Sequence, residues 1–204
     1  MTYNITKVKR GRGNKWHLYV DNEYALTLHA DVLAQHGLPK GAVEKAHLAM
    51  LNTLSREKFC LEHAMRLISI KDRSEQKLYR RLLEDYPETA AAKAVAKLKE
   101  LDLVDDRRFA AAAAQFHSAR GYGARRTFRY LLEQGVGKNI AEEAVAALDE
   151  ESTEQALRRL IGRMNSGALD TPEHIQKTVG ALLRRGFLYA DIRSALEKHL
   201  TDSE

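Results

Sequence analysis

A weak internal repeat of about fifty residues constrains the fold of this 204-residue chain more than any other feature. The first copy has apolar residues at Leu78, Leu82, Tyr86, Val95 and Leu98. In the second copy, 50 residues along the chain, the equivalent positions are Phe128, Leu132, Val136, Val145 and Leu148. In the third copy, a further 51 residues along, they are Val179, Leu183, Phe187, Leu196 and His199. Fourteen of these fifteen residues are apolar. Each copy must bury its apolar face on its neighbours, so the repeat predicts stacked helical units rather than a globule around one pocket.

Helix start and stop signals from Ser55 onward predict nine helices in three groups of three. Ser55 is a good N-cap, Thr171 suits the same role before Pro172, and Asp105-Asp106 places negative charge at a helix start. Glycines mark the joints at Gly121, Gly123, Gly135, Gly137, Gly167 and Gly186. The predicted helices are 55–70, 74–85, 88–101, 106–120, 124–134, 139–149, 152–164, 172–185 and 189–200.

The first fifty residues have a different pattern. Residues 15–20 and 23–28 alternate apolar and polar side chains, and Asp21-Asn22 between them is a good two-residue turn, which predicts a β-hairpin. A hairpin needs a cover, and we expect a short segment at 31–36, ended by Gly37, and a helix beginning near Pro39.

The fold class that follows is mainly α. We expect tandem three-helix repeats in an elongated, curved array, preceded by a small N-terminal β-hairpin and helix extension. The predicted domains are the extension at 1–54 and the three-helix repeats at 55–104, 105–150 and 151–204.

Composition narrows the class of protein. The net charge is +5, and 30% of the residues are charged, which suits an exposed surface that binds nucleic acid or an acidic protein. The single cysteine, Cys60, cannot form an intramolecular disulfide, which favours a reducing compartment. The sequence has no long apolar run and no secretory signal at its start, so we expect a cytoplasmic monomer that does not contact a membrane.

The second helix of each predicted repeat carries basic residues beside its apolar stripe. Solvated surface is the ordinary explanation for any one of these helices, but three similar faces indicate a basic track for phosphate or acidic protein. The candidate binding residues on these helices are Lys77, Arg80 and Arg81, then Arg125, Arg126 and Arg129, then Lys177, Arg184 and Arg185.

Two further segments are rich in basic residues. Residues 120–126, with Arg120 and Tyr122 among them, combine two glycines, three arginines and a tyrosine just before a helix, where free N–H groups, arginines and a ring can contact a ligand. An ordinary glycine-rich turn would have the same composition. The N-terminal residues Lys7, Lys9, Arg10, Arg12 and Lys15 are predicted to form a flexible basic arm that is either solvated or touches nucleic acid.

The sequence gives little support for catalysis. The eight histidines are scattered, and Cys60 with His63 supplies only two of the ligands that a zinc site needs. We therefore expect a non-enzymatic protein without a metal or a cofactor.

Several blocks of the sequence resemble the RecX family, regulators of the bacterial RecA recombinase. The resemblance runs from about Ser55 onward, and the N-terminal region is similar to an extension found in some members. The matching blocks are 73–78 with Leu82-Leu83, 98–110, 120–126 and 131–136. Phe128, where an aliphatic residue is commoner, and the insertion-like Asn165-Ser166-Gly167 depart from the pattern.

The resemblance implies three-helix repeats that bind in the groove of the RecA–single-stranded DNA filament. It further implies a role in homologous recombination and DNA repair, with suppression of filament growth, ATP hydrolysis, strand exchange and the co-protease activity of the SOS response. Two non-enzymatic alternatives remain open. One is a stand-alone DNA-binding regulator with helix-turn-helix-like units, and the other is a helical scaffold for an acidic protein. The scarcity of Asn and Gln on the outer faces favours contact with a backbone over reading of bases.

Overall fold

The computed structural model describes residues 2–164 and 171–201, and within these ranges the chain forms four strands and ten helices. The strands are β1 (Thr2–Arg10), β2 (Lys15–Val20), β3 (Glu23–His29) and β4 (Gly41–Glu44). The helices are α1 (Ala30–His36), α2 (Lys45–Ile70), α3 (Glu75–Leu83), α4 (Glu88–Glu100), α5 (Asp106–Ala119), α6 (Ala124–Glu133), α7 (Lys138–Ala146), α8 (Glu150–Met164), α9 (Pro172–Arg184) and α10 (Tyr189–Thr201). The predicted mainly α fold with a small N-terminal β element is confirmed. The segment Asn165-Ser166-Gly167 lies outside the described residues.

The chain divides into two compact units. The first comprises Met1–Asp72 and Leu78–Val104, and the second comprises Arg73–Lys77 and Asp105–Glu204. The four predicted domains and the elongated, curved arrangement of the repeats stay predictions.

The first unit begins with an antiparallel sheet of four strands in the order β3-β2-β1-β4. The predicted hairpin is confirmed as β2 and β3, and its turn residues Asp21 and Asn22 have φ of 49° and 67°, as a two-residue hairpin turn requires. Leu18 and Leu28 are fully buried on one face of the sheet, where they pack with Leu51 of α2. The sheet is therefore covered on that face by the helix that follows it.

The N-terminal residues form strand β1, so the prediction of a flexible basic arm is wrong. Lys7, Lys9 and Arg10 lie in β1, and Lys15 begins β2, while Arg12 lies in the turn between these strands. The pairing of β1 with β2 shifts register between Ile5 and Lys7.

This irregularity explains why the strand is hard to recognise in the sequence. A bulge adds one residue and breaks the period-two alternation of a strand. Ile5 and Val8, three residues apart, consequently both pack in the core of the first unit.

One long helix replaces the two that the sequence indicated near residues 39 and 55. Pro39 precedes β4, and α2 then runs without interruption from Lys45 to Ile70. Ser55 is therefore not an N-cap. It is fully buried in the middle of α2, where its hydroxyl accepts a hydrogen bond of 2.9 Å from the backbone N–H of His29. The helix-capping preference of serine and its use as a buried partner for a strand end have the same sequence signature.

The other local predictions agree with the structure. Gly37 follows α1 with φ of 82°, Asp105 accepts hydrogen bonds from the backbone at the start of α5, and the Thr171 side chain accepts one from the N–H of His174. The predicted helices from 74 onward match α3 to α10 to within a few residues at each end.

The repeat register taken from the sequence is wrong by one residue in the second helix of the later repeats. Leu132 and Leu183, the predicted equivalents of buried Leu82, are 41% and 40% exposed. Leu131 and Leu182, one residue earlier, are fully buried.

The offset arises at the end of each helix. Gly135 and Gly186, with φ of 86° and 93°, add a left-handed residue after α6 and α9. That extra residue restores the fifty-residue spacing at the next core positions, Val136 and Phe187, which are both buried. The first repeat reaches Tyr86 without such a glycine.

Replacement of Ser55 by alanine tests the buried contact between α2 and the end of β3. We expect Ser55→Ala to lower the free energy of unfolding by about 1–3 kcal/mol, because the buried N–H of His29 loses its acceptor. Ser69→Ala, in the same helix but exposed, should change it by less than about 0.5 kcal/mol. Urea denaturation followed by circular dichroism measures both. Equal effects of the two substitutions would contradict this assignment.

Candidate functional site

The joint between α5 and α6 holds residues 120–126, with their two glycines and three arginines, in a defined conformation. Gly121 has φ of 73°, and the N–H of Tyr122 donates a 2.9 Å hydrogen bond to the carbonyl of His117, which closes the end of α5. The Tyr122 ring consequently lies against α5, with its centroid 5.4 Å from that of His117. The Arg126 guanidinium lies over the Tyr122 ring, with its central carbon 3.9 Å from the ring centroid.

A second joint, between α9 and α10, contacts the first one backbone to backbone. The N–H of Gly123 donates to the carbonyl of Arg185, and the N–H of Arg125 donates to the carbonyl of Gly186. Each hydrogen bond is 3.0 Å long. A Cβ atom on Gly123 would lie 2.3 Å from the Phe187 nitrogen, and one on Gly186 would lie 2.5 Å from Cβ of Arg126. Only glycine fits at either position.

This contact brings the basic ends of α6 and α9 together around a groove of about 480 Å³. We call it the arginine groove. Its polar and aromatic lining residues are His117, Tyr122, Arg125, Arg126, Arg129, Tyr130, Glu133 and Arg184. Leu183 and Gly186 complete the lining.

The four groove arginines have no ion-pair partner among the residues that the structure describes. Arg125, Arg126, Arg129 and Arg184 are all exposed, and Glu133 is the one carboxylate among the residues that line the groove. Arg193 on α10 is different, since its guanidinium is paired with a glutamate of the next turn over 2.7 Å. The groove therefore presents a net positive charge that is available to an anionic ligand.

His117 lies beneath these arginines and is 9% exposed. Its ring packs 4.5 Å from the Tyr130 ring, and its Nδ1 atom is buried without a hydrogen-bond partner within the described residues. Burial lowers the pKa of His117 below its ordinary value of 6.5, and the positive charges of Arg126 and Arg120 lower the pKa further. The imidazole is therefore neutral at neutral pH and adds no charge of its own to the groove.

The remaining candidates at the end of α5 and on α9 lie at or beyond the edges of the groove. Arg120 stacks on the exposed ring of Phe116 at 4.4 Å. Arg185 lines a shallower depression beside Arg184. Lys177 is exposed on α9, about two turns before Arg184, and is not among the residues that line the groove.

The candidates on α3 have different surroundings. Lys77 and Arg80 are exposed. Arg81 donates to Asp85 at 2.8 Å and lies 3.1 Å from Glu84, so its charge is already balanced within its own helix end. The basic track that the sequence indicates is therefore neutralised at Arg81.

Sequence reasoning missed His117 and Tyr130 as members of the groove. Tyr130 follows Arg126 by four residues on α6, so helical spacing alone places both on one face. His117 had no comparable signal, because its position depends on the turn at Gly121.

Cys60 and His63 are the residues that could suggest metal binding or nucleophilic chemistry. No group of three or more potential metal ligands occurs in residues 2–164 and 171–201. Burial raises the pKa of the Cys60 thiol to about 11, so the thiol stays protonated and is a poor nucleophile.

Comparison with known proteins assigns the chain to a family, although no protein-family model matches it. It is 30% identical over 148 residues to the regulatory protein RecX of Streptomyces coelicolor, and the match covers 69% of this chain and 79% of that protein. The chain belongs to the RecX family. The regulatory protein RecX of Caldanaerobacter subterraneus subsp. tengcongensis is 28% identical over 197 residues, with 94% of this chain and 98% of that protein covered. These RecX proteins are named as regulatory proteins.

Solved structures show that the fold is shared. A crystal structure of regulatory protein RecX matches with a TM-score of 0.71 at 21% identity, and the match covers 96% of this chain and 99% of that one. The crystal structure of RecX from Lactobacillus salivarius matches 70% of this chain and 96% of its own, with a TM-score of 0.63 at 20% identity. Among the described residues, no helix combines the length and apolarity needed to cross a bilayer.

Replacement of Gly123 by alanine tests the contact between the two joints. We expect Gly123→Ala to lower the free energy of unfolding by about 2–4 kcal/mol, because the new methyl group displaces backbone and weakens two hydrogen bonds. Gly137→Ala is a matched control, since Gly137 also precedes a helix as its N-cap and has no neighbour within 4 Å of an added Cβ. The control should cost less than about 1 kcal/mol in the same denaturation experiment. Similar losses for both variants would indicate a capping effect alone.

The pH dependence of stability tests the burial of His117. A histidine whose pKa is lowered in the folded state contributes stability that is complete above the unfolded pKa of 6.5 and is lost as the pH falls. We therefore expect the free energy of unfolding to decrease less between about pH 7.5 and pH 5.5 in His117→Phe than in the unmodified protein. His174→Phe, which replaces an exposed ring, serves as the control and should leave that decrease unchanged. An unchanged decrease in His117→Phe would show that folding does not lower the pKa of this ring.

Proposed function

We propose that this protein is a non-enzymatic inhibitor of the RecA recombinase that binds the RecA–single-stranded DNA filament. The arginine groove is the principal contact, and its partner is DNA phosphate or an acidic surface of the recombinase. Membership of a family of regulatory proteins supports the class of function. The observation that carries the site is the set of four groove arginines that form no ion pair with any residue in the described part of the chain.

The chemistry of the groove suits a filament of protein and single-stranded DNA. Guanidinium groups recognise phosphate and carboxylate through paired N–H donors, and they do so at least cost when no internal ion pair must first be broken. Tyr122 and Tyr130 add half-buried aromatic rings to the same groove, and rings of this kind stack on unpaired bases. Arg81, with two acidic neighbours, is expected to contribute least.

The inhibition follows from the extent of the contact. The remaining candidates Lys77, Arg80, Arg120, Lys177 and Arg185 supply further weak contacts, which combine through effective concentration once one of them is made. A protein held along the filament groove blocks the addition of protomers and hinders the movements that accompany ATP hydrolysis. Strand exchange and co-protease activity depend on the same filament and decrease with it.

Reading of a specific DNA sequence is less well supported. Such recognition uses Asn, Gln and Arg that reach base edges from a recognition helix. The residues that line the arginine groove include neither Asn nor Gln. Its arginines and tyrosines suit contacts with backbone and stacked bases, so we favour filament binding over a stand-alone DNA-binding regulator with helix-turn-helix-like units. We also propose that the protein acts as a monomer in the cytoplasm, in keeping with its one buried, reduced cysteine.

Replacement of the three α6 arginines tests the proposal. We expect Arg125→Gln/Arg126→Gln/Arg129→Gln to raise the concentration needed for half-maximal inhibition of the DNA-dependent ATPase of RecA about tenfold. Three exposed charge contacts at about 0.5 kcal/mol each account for that factor. The assay uses preformed filaments, and sedimentation with those filaments should show the same loss.

The control removes three positive charges elsewhere in the second unit. Lys138→Gln/Arg159→Gln/Arg163→Gln changes exposed residues that do not line the groove and should inhibit like the unmodified protein. Thermal unfolding confirms that both variants are folded. Full inhibition by the α6 variant would remove the arginine groove from the mechanism.

A further inference from the structure

The four-stranded sheet of the first unit has a second face, opposite the one that packs on Leu51. Antiparallel partners share a face, so the pairing of the strands defines its rows of side chains. Lys7 pairs with Tyr19 and Tyr19 with Tyr24, which makes one row across the three strands β1, β2 and β3. Lys9 pairs with His17 and His17 with Thr27, which makes the next.

The side chains of these rows contact one another. The Tyr19 and Tyr24 rings lie edge to face with centroids 6.1 Å apart, and the His17 ring lies 6.1 Å from Tyr24. The ammonium group of Lys7 lies 5.7 Å from the centre of the Tyr19 ring. Tyr24 is 59% exposed, so this aromatic cluster faces solvent.

The same face continues into a cavity of about 410 Å³ against α2. Lys15, His17 and Thr27 line its sheet side. Its helical side is lined by Arg56, Phe59, Glu62, His63, Arg66 and Tyr86. We call the two rows and this cavity together the basic sheet face.

Its five cations are Lys7, Lys9, Lys15, Arg56 and Arg66. All five are exposed, and none has an ion-pair partner among the described residues. The carboxylate that lines the cavity, Glu62, already has two hydrogen-bond partners. It accepts one hydrogen bond from the side-chain amide of Asn14, and it lies 3.0 Å from Nε2 of His29. Asp85, 3.8 Å from His63, is also bonded to Arg81. Lys15, Arg56 and Arg66 line the cavity with Glu62 as the carboxylate beside them, so the face keeps a net positive charge.

We propose that the basic sheet face is a second binding surface, specific for single-stranded DNA. The exposed Tyr24 ring, beside the half-buried rings of Tyr19 and His17, is flanked by lysine and arginine. This arrangement matches a strand whose bases are unpaired, because a ring stacks on a base and the cations follow the phosphates. Duplex DNA fits less well, because its paired bases cannot stack on Tyr24. The choice of DNA rests on the proposed function, whereas the existence of the face does not.

Direct binding to a fluorescein-labelled oligo-dT of about 20 nucleotides tests this surface in the absence of RecA. The full chain carries Arg125→Gln/Arg126→Gln/Arg129→Gln throughout, so that the arginine groove does not dominate the binding. Lys15→Gln/Arg56→Gln is compared with Lys40→Gln/Lys45→Gln, which removes the same charge from exposed residues of the same unit that do not line the cavity. Fluorescence anisotropy gives the affinity at several salt concentrations.

We expect the logarithm of the affinity to depend less steeply on salt in Lys15→Gln/Arg56→Gln, by about 1.4 in slope, because two phosphate contacts are lost. The Lys40 and Lys45 control should keep the original slope. Tyr24→Ala should weaken binding at least about fivefold through lost stacking, and Tyr24→Phe should restore it.

Equal salt slopes for Lys15→Gln/Arg56→Gln and the control Lys40→Gln/Lys45→Gln would overturn the proposal. The absence of oligo-dT binding at low salt would also overturn it. So would a loss of binding to RecA without any loss of binding to DNA, which would identify the face as a protein contact. The ATPase assay is independent of these measurements, so failure here leaves the proposed inhibition intact and the converse also holds.

Discussion

The backbone contact between the α5–α6 and α9–α10 joints is the constraint on which the arginine groove depends. Helices packed through side chains tolerate small shifts. Here the N–H groups of Gly123 and Arg125 donate directly to the carbonyls of Arg185 and Gly186, and such a backbone contact allows little movement. Because Gly123 and Gly186 lack Cβ atoms, Arg126 and Arg184 come close enough to line one groove. The four positive charges gathered there repel one another, so the packing of the second unit holds them against their mutual repulsion.

The helices were largely predictable from the sequence, and the sheet was only partly so. Helix ends after residue 74 coincide with glycine, proline and acidic caps, whose effects are local and can be recognised without tertiary structure. Strand β1 was not predicted, because its bulge breaks the alternation of apolar and polar residues between Ile5 and Val8. Ser55 was misleading because its partner, the N–H of His29, lies 26 residues away, and no local pattern reports such a contact.

The candidate site shows the same division between local and distant causes. The sequence marked Tyr122, Arg125, Arg126 and Arg129 because they are close together in the chain. Arg184 and His117 line the same groove because two joints that are far apart in sequence contact each other. Arg81 looked equivalent to these residues on a helical wheel, and only its bonds to Glu84 and Asp85 distinguish it.

The stacking of Arg126 on Tyr122 has a consequence for recognition. A guanidinium held 3.9 Å from a ring centroid keeps N–H groups free to donate, and it has already given up much of its rotational freedom. An incoming phosphate therefore meets donors in a nearly fixed orientation and loses less entropy in ordering them than it would with a freely rotating lysine. Under the proposed function, Tyr122 would in this way support the binding of a phosphate even where no base stacks on its ring.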